Sequence, residues 1–553
     1  MIEIDLFNAK YKKGIKVVLL ISLLILGIYW GIGDDSFGFS KESGFYNSPF
    51  YLIINKPFGT KVYYTLDGSA PSTDSAEYTE PIWIEDATKK ANCYANIEEI
   101  VPENYSDYDQ DGIFLGYDLP KDNVDKSNIV RAICVDKDGE IVGEKQATYF
   151  VEYEDKSGYD GMWVVSITTD PDNLFGTDKG IMVRGPYMTI DGDPYFDANF
   201  SKRGMDWERE AYVQFFTPQR EVVINQKCGI RIHGNYSRRL ASKSFNLYAR
   251  NEYDGNDKFL YDFWGDEYYP DKIMLLSGGQ DQVSLVRDKM VSDLTRGMAF
   301  ESYHYEPCVV FLDGEYWGVH FISEELEKEY IGHYYKTDSN DLMLMKDWQV
   351  IEGNTEFDGG VKYNDFTTCF SAEEENGMSQ QLFNKVLDYE SFLDYFATET
   401  YIARNGDWPQ KNISLWSSLS NTKAPNDGKW RFILYDTYTD SINLPNHDTE
   451  TYLRNALPVF DYEMKDEKFE EAFMNKWEYL SEEVFDEEHV EKYLEEYSAL
   501  MREPLLKHYK RFYSNHYDEN SFDMAIDEIR DFFEKREEYI SIRVENSEKQ
   551  IGD

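Results

Sequence analysis

Asp407 and Asn412 stand five residues apart in the run Asn405-Gly-Asp-Trp-Pro-Gln-Lys-Asn412. An apolar, strand-like run from Trp430 to Tyr435 then delivers a second carboxylate, Asp436. A carboxylate that can take a proton from a hydroxyl, an amide oxygen and a further carboxylate for a divalent cation form a minimal set for moving a phosphoryl group. Catalytic loops of that kind carry Asp-x-x-x-x-Asn, with a metal-binding Asp after the next strand. With 104 acidic residues in the chain, the same spacing also arises by chance, and a plain polar turn is the competing reading.

The elements that must position this set lie mostly upstream. Residues 389–404 read as a helix leading into the Asp407 loop. Residues 160–300 alternate strands and loops, and include Gly229-Ile-Arg-Ile-His-Gly-Asn-Tyr-Ser-Arg238, a strand entering a glycine-containing polar loop. Lys243 opens the next strand. Such a loop followed by a strand lysine can cover and neutralise phosphates, and a β-hairpin with a surface lysine is the plainer alternative. An amphipathic helix over 283–300 carries Arg287 and Asp288. Asp313-Gly314 marks a hairpin turn. Glu324 is expected at the start of a helix over 324–335, where it can pair with Lys243 or simply favour the helix N-terminus. From 466 to 550, apolar residues recur at helical spacing through Phe469, Phe473 and Trp477 and again through Ile526, Ile529 and Phe533. This predicts a helical subdomain with a solvated acidic face.

Composition bounds the partners. The chain has 553 residues, room for several domains, and a net charge of −48. So acidic a chain repels nucleic acid and anionic lipid surfaces, and attracts divalent cations or basic protein segments. The five cysteines form no CxxC pair, and the eight histidines show no metal-ligand spacing, which argues against a disulfide framework or a zinc site.

The N-terminal part carries separate signals. Residues 15–33 are apolar apart from Lys16 and Ser22, follow Lys10, Lys12 and Lys13, and precede Asp34-Asp35. At helical rise they span roughly 28 Å, the length of a transmembrane helix. The flanking charges place the N-terminus in the cytoplasm and the rest of the chain outside, as an uncleaved signal anchor. Residues 45–152 read as short strands with turn signals at Asp67-Gly68 and Asp138-Gly139, a small all-β sandwich. The run from Val62 through Asp67-Gly-Ser-Ala-Pro71 resembles the chitobiase/β-hexosaminidase C-terminal-type module, an accessory immunoglobulin-like sandwich. Within this region Asp107, Asp109, Asp111 and Asp118 occupy positions 1, 3, 5 and 12 of a loop with Gly112 at position 6. That is the spacing of a calcium loop, with Asp at position 12 instead of the usual bidentate Glu; an acidic surface insertion is the alternative.

Taken together, the motifs of the larger region resemble the CotH kinase family, atypical kinases first known from bacterial spore coats. The matching pieces include Asn173-Leu-Phe, Trp207-Glu-Arg, Gly229-Ile-Arg-Ile-His-Gly-Asn, Lys243-Ser, Arg287-Asp288, Gly314-Glu-Tyr-Trp-Gly318, the Asp407 loop and Tyr435-Asp436, over about residues 162–440. The resemblance implies an atypical protein-kinase-like α+β fold and transfer of the ATP γ-phosphate to protein Ser or Thr with Mg2+ or Mn2+. It implies that Lys243, Arg287, Ser237 and Arg238 meet the nucleotide, that Glu324 orients Lys243, that Asp407 is the base, and that Asn412 and Asp436 hold metal. One departure stands out. The family's usual Asp-x-Asp is here Asp436-Thr-Tyr438, with Asp440 two residues later, so metal binding is weakened, moved to Asp440 or lost. The expected organisation is an anchor at 1–33, a sandwich at 34–153, a kinase-like domain at 160–445 and a helical subdomain at 446–553. A catalytically inactive cell-surface protein with the same fold, structural or associated with glycan, is the second reading. Glycoside hydrolysis needs only two spaced carboxylates, too common here to count.

Overall fold

Buried Val62, Val130, Ala132 and Cys134 pack with Leu52, Ile54, Ile82, Ile84 and Tyr149 into one apolar layer. The period-2 spacing of Val130, Ala132 and Cys134 is the signature of a strand with one face toward a core. The computed structural model describes residues 36–102, 113–188, 197–353, 358–371, 379–437 and 441–551. The apolar segment at 15–33, the acidic residues Asp107, Asp109 and Asp111, and Tyr438 and Asp440 lie outside these. Among the described residues no helix is long and apolar enough to cross a membrane.

The chain divides into two units, one of residues 1–87 and 127–154 and one of residues 88–126 and 155–553. The smaller is β-rich. Its strands are β1 (Gly38–Phe39), β2 (Gly44–Tyr46), β3 (Phe50–Leu52), β4 (Ile54–Asn55), β5 (Lys61–Thr65), β6 (Ala76–Glu77), β7 (Ile82–Ile84), β8 (Asn128–Val135) and β9 (Ile141–Val151). A five-stranded sheet runs β2-β9-β8-β5-β6, beside the pairs β1-β4 and β3-β7. Residues 88–126, expected inside the sandwich, belong instead to the larger unit. There the backbone N–H groups of Cys93, Tyr94 and Ala95 donate to the buried carboxylate of Glu315 at 2.6, 3.0 and 2.7 Å.

The larger unit holds the expected α+β mixture. Its strands are β10 (Trp163–Thr168), β11 (Arg209–Phe216), β12 (Val222–Ile232), β13 (Phe245–Tyr248), β14 (Lys272–Leu276), β15 (Glu301–Ser302), β16 (Glu306–Leu312), β17 (Glu315–Glu324), β18 (Leu342–Lys346), β19 (Gln349–Glu352), β20 (Ser414–Ser418) and β21 (Arg431–Leu434). Seven of them close a barrel in the order β10-β11-β12-β13-β14-β17-β16, and five form the sheet β15-β21-β20-β18-β19. Strand β17 is buried along its whole length, and the helix Glu487–Phe512 packs over it, with His508 Nδ1 accepting from Val319 N at 3.0 Å. Asp313-Gly314 makes the expected hairpin between β16 and β17.

The predicted helices are present with different ends. The amphipathic segment expected over 283–300 is helical at Arg287–Leu294, and the helix expected from Glu324 begins at Lys328, because β17 runs on through Glu324. The helix Tyr389–Tyr401 is buried over most of its length and starts on an Asp388 cap, whose side chain accepts from Ser391 N. Its far end is held by the C-terminal helix Glu519–Ile551. The buried guanidinium of Arg536 donates to the carbonyls of Tyr401 (2.7 Å), Thr400, Pro445 (2.7 Å) and His447 (3.0 Å). A cation at a helix C-terminus satisfies carbonyls that the helix itself leaves open. Trp477, from the helix Glu467–Tyr479, donates its indole N–H to Thr400 Oγ1 at 3.0 Å. The helical C-terminal region thus fixes the point from which the Asp407 loop departs.

Candidate active site

The larger unit contains a cavity of about 1240 Å³, lined by residues of the β12–β13 loop, by the ends of β14, β17 and β18, and by the loops around Asp407 and Asp436. Six Lys or Arg side chains and six carboxylates line it. A charge-balanced lining in a chain of net charge −48 is a local enrichment in cations, suited to a ligand that carries both phosphate and metal.

Asp407 and Asn412, five residues apart on one loop, and Asp436, after the following strands, all line this cavity. Asp407 is exposed, and its Oδ2 lies 3.5 Å from Lys411 Nζ. The loop around it is anchored through buried Trp408, whose indole N–H donates to Tyr395 Oη at 3.1 Å. Asn412 donates its backbone N–H to Asp347 Oδ1 at 2.7 Å. Asp347, Asn412 and Asp436 have φ of 50°, 56° and 58°, the left-handed region that side chains other than glycine rarely adopt. Leu285, with φ of 55°, makes a fourth such residue around the cavity, and together they mark backbone held in place by its surroundings.

Behind Asp436 lies a charged cluster. Asp288, on the helix Arg287–Leu294, accepts from Thr437 N and Thr437 Oγ1, both at 2.6 Å, and from Tyr305 Oη at 3.0 Å. Burial and the nearby Asp436 charge push the Asp288 carboxyl up to about 6. Burial pushes Glu399 up to about 7 against the pull of Arg404, whose Nη1 is 3.6 Å from Glu399 Oε2. Burial works to lower the Arg404 guanidinium, yet Glu399 and Asp436 hold it above its ordinary range. The charges of Asp436 and Asp288 also reach Arg404, and with Glu399 pushed toward its neutral form these two cavity-lining carboxylates are the ones that suit a divalent cation. Among the described residues no three His, Cys, Asp or Glu side chains form a metal-ligand set. The donors that fit a cation here are the Asp436 and Asp288 carboxylates together with the Asn412 amide, oxygen ligands of the kind Mg2+ takes when it keeps water and phosphate for its remaining positions.

The other sequence-derived candidates separate. Ser237 and Arg238 line the cavity. Arg238 spends its donors on backbone, on Gly234 O at 2.6 Å, Ile232 O at 2.5 Å, and Phe200 and Lys202 O at 3.2 and 3.0 Å, so it shapes the loop. Lys243 does not line the cavity. Its buried ammonium donates to Ile100 O and Leu240 O, both at 2.6 Å, and lies 4.4 Å from the Phe200 ring centre. Burial holds it well below the usual lysine range. Glu324 is also buried, and its Oε1 meets His304 Nδ1 at 2.6 Å; no Lys243–Glu324 pair occurs. Arg287 lies off the cavity, 3.9 Å from Asp281. Asp118, the last position of the calcium-loop spacing, accepts from Asn515 N and Nδ2 and meets His516 Nδ1, at 2.7, 2.9 and 3.0 Å. Sequence reasoning passed over Asp347, Glu399, Arg404 and Lys346. Strand alternation could have pointed to the cavity-facing side, because Ser244, Asn246, Phe321 and Glu325 line the cavity while Lys243 and Glu324 are out of step with them.

A barrel, a mixed sheet and a polar, cation-enriched cleft define an α+β protein. The CotH kinase protein family matches residues 230–540, more than half of the chain, and the chain belongs to that family. The Fn3 associated family matches residues 52–148. The match covers the same β-rich region and does not confirm the chitobiase-type module that the sequence resembles. No curated protein matches the chain.

Proposed function

We propose that the protein is an atypical protein kinase that transfers the γ-phosphate of ATP to Ser or Thr hydroxyls of a protein substrate. One observation carries the reading: Asp407, Asn412 and Asp436 line a single cavity whose lining is enriched in cations. In this reading Asp407, exposed at the rim, accepts the hydroxyl proton. Asn412 and Asp436, with Asp288 beside them, hold Mg2+ or Mn2+. Bound there with ATP, the cation supplies charge neutralisation on the transferred group. Ser237 and the loop shaped by Arg238 cover the phosphates. The acidic surface favours a basic substrate segment. The segment at 15–33 anchors the chain in a membrane with its bulk outside the cytoplasm. The β-rich unit serves as an accessory module, whether of the matched type or closer to the chitobiase type, and a glycan partner belongs to the second reading below.

A second reading, a non-catalytic surface protein of the same fold, draws on Tyr438 in place of the family's second carboxylate and on the burial of Lys243. One experiment separates the two. The full chain is incubated with ATP labelled at the γ-phosphate, Mg2+ or Mn2+, and a basic Ser-rich protein, beside Asp407→Ala. Label that enters the substrate or the chain itself, and is lost in the variant, supports the kinase. No label in either protein, with a melting temperature indifferent to ATP and metal, overturns it.

A further inference from the structure

The buried Lys243 leaves the phosphate-contacting lysine of the proposed kinase without a residue. We infer that Lys346, at the end of β18, is the lysine that binds the nucleotide phosphates; the inference rests on the kinase reading above. Lys346 lines the cavity. The other lining cations are committed elsewhere. Lys289 pairs with Asp293 at 2.7 Å, Lys411 with Asp407 at 3.5 Å, Arg238 with backbone carbonyls, Arg203 with Gly234 O and Asn235 Oδ1, both at 3.1 Å, and Arg239 lies 3.7 Å from the centre of the Tyr236 ring. Lys346 pairs through its backbone with Gln349 and Ser414, while among the described residues its ammonium makes no hydrogen bond and no ion pair. Its ammonium lies 4.7 Å from the centre of the Tyr435 ring, an attraction that positions the charge without using its donors.

Its place in the chain ties it to the proposed metal end of the cavity. Tyr435, under the ammonium, precedes Asp436. Asp347, the next residue after Lys346, holds the Asn412 backbone. The charge of Lys346 also reaches His233, in the β12–β13 loop that lines the same cavity. A cation so placed shares one cavity with the covering loop and with Asn412 and Asp436, the cavity that in the kinase reading takes the phosphates of a metal-bound nucleoside triphosphate. Lysine acts there as a compact point charge.

The test measures binding of Mg·ATP and of adenosine to the full chain, as wild type, Lys346→Met and Lys346→Arg, with the melting temperature of each as a check on folding. The expected result for Lys346→Met is a loss of Mg·ATP affinity of about 10- to 100-fold, the scale of a hydrogen bond to a charged group. Adenosine, which lacks phosphates, binds unchanged, and Lys346→Arg keeps most of the Mg·ATP affinity. If Lys346→Met does not fold, Lys346→Gln is read the same way. Wild-type Mg·ATP affinity in the Met variant overturns the inference and leaves the kinase reading standing. An equal loss for ATP and adenosine shows a structural role and overturns it too. A wild type that binds neither ligand overturns both.

Discussion

Glu399 is fully buried, 3.6 Å from an equally buried Arg404, and its carboxyl is pushed up to about 7 from an ordinary 4.5. The substitution that probes this is Glu399→Gln, which keeps the shape and removes the titration. Because the pKa is higher in the folded chain, the folded state binds this proton more tightly than the unfolded state does. The corresponding stability is whole below pH 4.5 and is lost as the pH rises through 7. At about 1.4 kcal/mol for each pH unit between the two values, the loss reaches about 3 kcal/mol. The variant, always neutral at this position, does not suffer it. The unfolding free energy of Glu399→Gln minus that of wild type should therefore climb by about 3 kcal/mol between pH 4.5 and 7 and stay level above. The assay is chemical denaturation of the full chain in a metal chelator at a series of pH values. It follows the tryptophan fluorescence of the larger unit, where Trp408, Trp416, Trp430 and Trp477 are buried. A difference that is flat across this range, or that falls with pH, would refute the claim that Glu399 is held against ionisation by burial beside the site.

Three further outcomes are expected. Asp407→Ala should lower phosphate transfer by about 10²- to 10⁴-fold while leaving the rise in melting temperature with Mg·ATP intact, measured by label incorporation and thermal shift. Lys243→Met should destabilise the fold by about 1–3 kcal/mol, because Ile100 O and Leu240 O lose their donor, yet leave Mg·ATP affinity at the wild-type value in a binding titration. Arg536→Met should cost about 3 kcal/mol of stability by stripping the carbonyls at the end of the helix Tyr389–Tyr401. It should also lower kcat more than it changes nucleotide affinity, because the loop that leaves this helix carries Asp407.

The parts of this architecture that were legible in the sequence are those with local periodicity. The alternation around Val130, the Asp313-Gly314 turn and the helical spacing of Phe469, Phe473 and Trp477 each report a neighbour within a few residues. Position relative to the cavity is a finer property. In a strand one residue of offset exchanges the two faces. Reading Lys243 and Glu324 as the lysine–glutamate pair put both a single residue out of step with Ser244 and Glu325, which do line the cavity. Helix starts suffered similarly. A glutamate at 324 suits both a strand end and a helix N-terminus, and pairing with Ile273 of β14 decides for the strand. The contacts of longest reach had no local sign at all. Nothing near Asp288 announces Thr437, 149 residues away, and nothing in residues 88–126 announces that their amides converge on Glu315.

Those long-range contacts decide between a chance polar turn and a built site. A left-handed backbone costs roughly 1–2 kcal/mol at most residues other than glycine, and less at Asp and Asn, whose short polar side chains adopt it more readily. Asp436 carries that cost between two fixed points, with Tyr435 on one side facing the Lys346 ammonium and Thr437 on the other donating both its N–H and its hydroxyl to Asp288. Asn412 carries it too, with its N–H given to Asp347, itself in the same conformation and bonded through its own N–H to Ile413 O at 2.9 Å. Here helix Arg287–Leu294 and the β18–β19 turn supply the restraint, and both residues so restrained are ones whose side chains the phosphoryl-transfer reading requires. Strain opposed from two independent elements fixes the side-chain positions before any ligand arrives, which is how a site keeps the cost of ordering out of its binding step.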